Sequence, residues 1–269
     1  MGKLIQLNKD VLESYIQAGY NSRKICELLH IGKSTLFKNL KQFGLSFSDH
    51  KWFNIYKFDT IDSEEKAYWL GFLFADGYVC GYHNQLEVSL KSDDISHLLK
   101  FKTFLEDKRD DSIIKISKIN LNDKQFERCR YIIVGDKHFH EELINKGCIP
   151  NKSLILKFPD INIFKSEELV FDFIRGYIDG DGCLTISGGR PYISVDGSKD
   201  FLMGLMNFIP KFKIEPNKNK NHCTIRANTK ESLEIYKKLY SNSTIYLDRK
   251  YNKFAPFCKE REQGNNGES

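Results

Sequence analysis

Two stretches of the sequence align without a gap, WLGFLFADG at 69–77 and IRGYIDGDG at 174–182. Gly71 falls on Gly176, Ala75 on Gly180, Asp76 on Asp181 and Gly77 on Gly182, always 105 residues apart. A repeated unit of this length fixes what the chain can fold into more strongly than any composition figure. Each stretch reads as an apolar helix that stops at an Asp-Gly pair. Its small residues recur at i, i+4, which lets two helix backbones approach closely. Two copies packed on one another bring Asp76 and Asp181 side by side at the helix ends. A helix C-terminus already carries partial negative charge and free carbonyls. Two carboxylates there are poorly tolerated without a cation. Such an oxygen-rich pair suits a hard divalent ion such as magnesium.

The repeat extends outward. Asp62-Ser63-Glu64-Glu65 and Ser166-Glu167-Glu168 precede the copies and supply capping chemistry of the right dipole sign. SDDISHLLKF (92–101) and SKDFLMGLMNF (198–208) follow them after strand-like segments. Each unit closes with a lysine and a proline stop: Lys152 before Phe158-Pro159, and Lys250 before Ala255-Pro256. The expected order within a unit is helix, strand pair, helix, strand pair, helix. The fold class predicted is therefore α+β, two pseudo-symmetric αββαββα halves at 63–160 and 161–258.

These residues resemble the LAGLIDADG homing endonucleases, in the form that carries both motifs in one chain. The resemblance covers about 60–260. It implies a saddle whose sheets lie in the major groove of DNA, and hydrolysis of one phosphodiester on each strand. It also implies that Asp76 and Asp181 are metal ligands, with the carbonyls of Ala75 and Gly180 as additional ligands. Lys152 and Lys250 match the basic positions near the scissile phosphates. The implied cofactor is Mg2+, two or more divalent ions, with Mn2+ as a substitute. Phe74 departs from the acidic sixth motif position that Asp179 keeps.

Ahead of the repeat, residues 1–45 read as a small all-α domain of three short helices. Asn8 or Asp10 caps the first, Gly19 stops it, and Asn21 or Ser22 caps the second. SRKICELLHIGKSTLFKNLKQFGL resembles a bacterial helix-turn-helix. Cys26 stands where the two helices meet, Ile31 plugs the turn, and Gly32 opens the recognition helix. Lys33, Ser34, Thr35, Lys38 and Asn39 are expected on its outward face, where such residues reach bases and phosphates. His30 takes the turn position usually held by Gly and must accept a positive φ. Residues 46–62 read as an aromatic-rich linker, and 259–269 as a disordered tail.

Sequence readout is expected from alternate strand positions. In the first half these are Tyr78, Tyr82, Gln85, Glu87, Ser89 and Lys91, with Arg128 and Arg130 on a later strand. In the second they are Thr185, Ser187, Arg190, Tyr192, Ser194 and Asp196. Lys220, His222, Thr224, Arg226 and Asn228 follow on its last strand pair. Arginine suits guanine; asparagine and glutamine suit adenine.

Charge agrees with a polyanionic partner. The net charge is +5, but residues 1–50 carry seven Lys/Arg against four acids, and 210–259 carry twelve against four. The rest of the chain is net acidic. Basic regions around an acidic middle suit a clamp on nucleic acid about a metal-binding centre. No apolar run reaches the roughly 18 residues of a membrane span. The start lacks the apolar core of a secretory signal, and the seven cysteines show no C-x-x-C or zinc-finger spacing. The expected setting is a bacterial or phage-infected cytoplasm. The expected partner is double-stranded DNA with a long specific site, bound by a monomer. Intron RNA is an alternative partner, and a non-cleaving regulator or an RNA maturase is the alternative function.

Overall fold

The structure is a computed structural model describing residues 7–18, 20, 22–46, 52–121, 124–134, 136–215 and 222–264. The chain divides into two compact units, 1–55 with 102–113, and 56–101 with 114–269.

The first unit contains helices α1 (Lys9–Gln17), α2 (Ser22–Leu29) and α3 (Lys33–Phe43). Asn8 caps α1, its side chain accepting from the amides of Asp10 and Val11. Gly32 is the N-cap of α3, and Gly44 closes that helix in the left-handed conformation at φ +65°. His30 stands in the turn at φ +50°, the strained conformation its position demands. Leu12, Ile16, Ile25, Leu36 and Leu40 form the core, with Cys26 and Ile31 packed against it. Gly19 and Asn21 lie outside the described residues.

The expected linker is not one segment. Asn54 N donates to the Leu105 carbonyl at 2.8 Å, and Lys108 N to that of Trp52 at 3.0 Å. This pairing draws 102–113 into the first unit. Residues 56–62 belong to the second unit, where Phe58 is buried against Phe139 and Ile61 bridges Phe164.

The second unit repeats one pattern. Its first half runs α4 (Glu64–Asp76), β1 (Gly77–Val79), β2 (Gln85–Lys91), α5 (Ile95–Phe104, whose last three residues fall in the first unit), β3 (Lys115–Leu121), β4 (Lys124–Val134), α6 (Lys137–Asn145). The other half runs α7 (Glu168–Asp181), β5 (Gly182–Ser187), β6 (Arg190–Ser198), α8 (Lys199–Phe208), β7 (Lys213–Glu215), β8 (His222–Ala227), α9 (Thr229–Tyr240), then α10 (Asp248–Gly264). The sheets are antiparallel, ordered β1-β2-β4-β3 and β5-β6-β8-β7. Equivalent registers recur: Gly77 faces Val88, and Gly182 faces Val195. The α+β fold of two αββαββα halves follows the sequence expectation.

Alternation puts Leu86, Val88 and Leu90 of β2, and Ile193 and Val195 of β6, into the core. The opposite faces stay open. α4 and α7 pack along their glycine stripes. A Cβ on Gly71 would lie 1.9 Å from the Phe173 carbonyl oxygen, and one on Gly176 1.9 Å from that of Tyr68. Ser63 caps α4, accepting from Lys66 N at 3.4 Å. The start of α7 differs: Glu167 stands at the N-cap without a side-chain bond.

Two terminal expectations are corrected. Pro256 does not stop a helix but sits inside α10, which continues through Lys259 to Gly264. A proline removes one backbone bond and bends a helix without having to end it. The disordered tail therefore does not begin at 259; residues 265–269 lie outside the described residues. Among the described residues, no helix is long and apolar enough to cross a membrane.

Candidate active site and nucleic-acid interface

Helices α4 and α7 each end on the aspartate of an Asp-Gly pair, and the glycine opens a strand. Both motif aspartates therefore arrive where the helices cross. A Cβ on Gly180 would lie 2.3 Å from Ala75 Cβ and 3.2 Å from Asp76 Oδ2. Ala75 and Gly180 thus mark the crossing itself, with Asp76 half-buried and Asp181 open to solvent. Desolvation and then the neighbouring Asp181 charge raise the Asp76 carboxyl to about 6. Asp181 is also raised, by desolvation, against the pull of Lys152 and Lys250. Two carboxylates held together against their own repulsion fit a cation between them. Among the described residues, no group of three or more His, Cys, Asp or Glu side chains forms a metal site. A cation here would complete its shell with carbonyl, water or phosphate oxygens, as magnesium does.

The lysines reach the same place by different routes. Lys152 opens a 3₁₀ turn (Lys152–Leu154) and donates to the Gly77 carbonyl at the end of α4. Lys250 is buried in the first turn of α10. Its ammonium donates to the carbonyls of Ile178 and Gly180, each at 2.9 Å, and to that of Gly182. Those three bonds use all the donors an ammonium has. Lys250 therefore caps α7 from a fixed position, with burial pushing its pKa down, and it occupies one lone pair of the Gly180 carbonyl.

A cavity of about 230 Å³ opens beside Asp181, lined also by Ala75, Lys152, Tyr177, Asp196 and His222. Here the two halves differ. Tyr177, the repeat partner of Phe72, hydrogen-bonds the Asp181 carboxylate and donates to the Asp196 carbonyl at 3.3 Å. Gly197 makes room for it: a Cβ there would lie 2.7 Å from the Tyr177 hydroxyl oxygen. Sequence reasoning missed Tyr177, although its alignment with Phe72 marked the difference. It also missed Cys148, a buried thiol pushed up to about 11 by desolvation, which donates to the Leu73 carbonyl in α4 at 3.4 Å.

Asp179, another position at which the copies differ, is buried. It accepts from Tyr68 Oη at 2.8 Å, Tyr240 Oη at 2.7 Å and the Leu247 amide at 2.7 Å. Desolvation raises its carboxyl, while the nearby Lys250 charge and these donors oppose that shift. The position equivalent to Asp179 in the first copy holds Phe74, buried edge-on to Phe173.

The outer sheet faces carry most of the residues expected to read DNA. Tyr78 and Tyr82 are exposed, and Gln85, Glu87, Ser89 and Lys91 lie opposite the core face of β2. Arg128 and Arg130 are exposed across from Lys91 and Ser89. Arg130 makes a bidentate pair with Glu87, both bonds 2.8 Å. In the second half, Thr185, Ser187, Arg190, Tyr192, Ser194 and Asp196 share one open face through the β5–β6 register. Thr224 donates to Asp196, and Arg226 pairs with Glu215 at 3.0 Å. His222 lines the cavity; Lys220 lies outside the described residues. Cys183 is exposed on this face beside Thr185 and was not expected there.

Two of the expected base readers are corrected. Asn228 is the N-cap of α9 and makes a capping box with Glu231, so its side-chain oxygen is committed to the helix. Asn39 is buried, accepting from Leu7 N at 3.0 Å and donating to the Thr35 carbonyl at 2.9 Å. It lies three residues after Leu36 and one before Leu40, on the inward stripe of α3. Lys33, Ser34 and Lys38 are exposed and Thr35 is half-buried. Phe37, exposed beside them, was not foreseen.

Residues 168–249 match the family model of a LAGLIDADG-like domain. No curated protein sequence matches this one. The chain is similar in structure to the homing endonuclease I-WcaI bound to its DNA recognition sequence. Identity is 15%, the match covers 86% of this chain and 97% of that one, and the TM-score is 0.53. I-SmaMI bound to an uncleaved DNA target in the presence of calcium ions is 13% identical, with 74% and 92% covered and a TM-score of 0.45. The chain thus has the LAGLIDADG fold of homing endonucleases, with its family match in the second half.

Proposed function

We propose that this chain is a site-specific double-strand DNA endonuclease that uses divalent ions held by Asp76 and Asp181. The observation that carries this reading is the pair of motif aspartates, one from each half, meeting where α4 crosses α7. I-WcaI, whose fold this chain shares, is described as a homing endonuclease bound to its DNA recognition sequence.

Bound divalent ions supply an activated water and neutralise charge on the leaving oxygen. The protein's share is positional and electrostatic. Asp76 and Asp181 would each hold an ion for one strand's phosphate. Lys152, in the wall of the cavity, stabilises the charge developing on phosphorus oxygens. Lys250 sets its ammonium behind Asp181 and, after Lys152, opposes the desolvation that raises that carboxyl. Water attacks in line and the 3′ oxygen leaves; no His, Ser or Cys nucleophile takes part. The sheet faces read the site, and α3 lengthens it through Lys33, Ser34, Thr35 and Lys38. The protein acts as a monomer, because α4 finds its partner helix in the same chain.

The test is cutting of a DNA pool that includes the uninterrupted sequence flanking the protein's own gene, with magnesium at low salt. A discrete double-strand cut, abolished by EDTA and restored by Mg2+ or Mn2+, supports the reading. Tight duplex binding without cutting in either metal contradicts it.

A further inference from the structure

The two halves hold their lysines unequally, and the copies also differ in charge at the sixth motif position, Phe74 against Asp179. Asp179 does not face the Asp76–Asp181 crossing. Both of its oxygens accept, from Tyr68 of α4, Tyr240 of α9 and the backbone amide of Leu247. Leu247 is the residue on which α10 begins: its carbonyl accepts from the amides of Lys250 at 2.9 Å and Tyr251 at 3.0 Å. Asp179 therefore pins the first turn of α10 to the buried flank of α7. From that turn Lys250 reaches back to the last carbonyls of α7. On the same turn, Arg249 clasps the buried carboxylate of Asp94 at 2.9 Å.

Among the described residues, the first half shows no such clamp. Phe74 stands at the equivalent position and makes only apolar contacts among Phe173, Phe201 and Gly147. Lys152 opens a three-residue 3₁₀ turn preceded by Asn151 at φ +53°, which provides no side-chain cap. Its ammonium gives a single backbone bond, against three for Lys250.

We infer that Asp179 is a positioning residue for Lys250. Through Leu247 it fixes the ammonium at the end of α7, so one half-site is built rigid while the other is not. The inference rests on the endonuclease reading. Its consequence is selective: loss of Asp179 weakens cutting of one strand and spares the other. Misplacing a charged group by about 1 Å costs on the order of 10²-fold in rate.

The experiment uses the full-length protein and a duplex labelled on either strand, with nicking of each strand timed separately. Lys250→Met identifies the strand that depends on Lys250. Asp179→Asn replaces one acceptor oxygen with a donor and is the test variant; Tyr240→Phe removes a single bond and is the milder second. The expected result is nicking of the Lys250-dependent strand slowed about 10²-fold in Asp179→Asn, and less in Tyr240→Phe. The other strand keeps its wild-type rate in both. Equal slowing of both strands, or of neither, in folded variants overturns the inference.

A second readout does not need activity. Lys250 should resist amine acetylation in the native protein and become labelled in Asp179→Asn, with Lys152 labelling unchanged. Unchanged protection of Lys250 overturns the inference. If the wild-type protein cuts no DNA, the endonuclease reading fails and the labelling result alone decides whether Asp179 positions Lys250.

Discussion

Asp76 holds a proton that the unfolded chain would release. Its carboxyl is raised from 3.8 to about 6, so between those values the native state binds more protons than the unfolded one. Stability from this group is greatest at acid pH and falls as pH rises toward about 6. Asp181 is shifted in the same direction. In metal-free protein, Asp76→Asn should therefore raise stability at pH 7 by about 1 kcal/mol, reduced from the full shift because the site is partly open to solvent. It should change little at pH 4. Urea unfolding in chelator at both pH values checks this. Divalent ions should reverse the order at pH 7, stabilising wild type and not the variant, since a ligand stabilises only the state that binds it. The opposite pH dependence would mean the two carboxylates do not share a site. Asp76 and Asp181 were legible in the sequence because the repeat aligned them. Asn39 and Asn228 were misread because a polar residue beside an inward stripe or a helix start serves the backbone as readily as DNA.

The crossing of α4 and α7 depends on two glycines with no space for a side chain. Gly71→Ala or Gly176→Ala would place a Cβ 1.9 Å from a carbonyl oxygen of the facing helix, and that backbone cannot yield alone. Each change should cost about 3 kcal/mol or more, or prevent folding; chemical denaturation measures it. A loss below about 1 kcal/mol would show that the helices pack less closely. Small residues at i, i+4 announced this packing in the sequence, and alternation announced the core faces of β2 and β6. Long-range pairings carry no such local signal. Nothing near residue 105 indicates that its carbonyl accepts from Asn54, and nothing near Asp179 indicates Leu247. Pro256 reads as a stop because its local effect is to break a backbone bond, yet α10 continues past it.

At the scale of the whole molecule, the proposed function assigns DNA contacts to the basic and polar side chains of α3 as well as to the sheet faces. Lys33→Ala with Lys38→Ala should weaken DNA binding at low salt. The double change should also lower the slope of log K against log salt by about 0.9 for each phosphate that these lysines neutralise. Fluorescence anisotropy over a salt series checks it; an unchanged slope would remove α3 from the interface. The central claim is that Asp76 and Asp181, from opposite halves, are both needed for one double-strand cut. It is tested most directly by incubating wild type, Asp76→Asn and Asp181→Asn with the selected duplex in magnesium. Wild type should make a double-strand cut, and each variant should lose double-strand cutting by about 10³-fold or more, leaving nicking or no cutting, with duplex affinity kept. Cutting at the wild-type rate by either variant would contradict the claim.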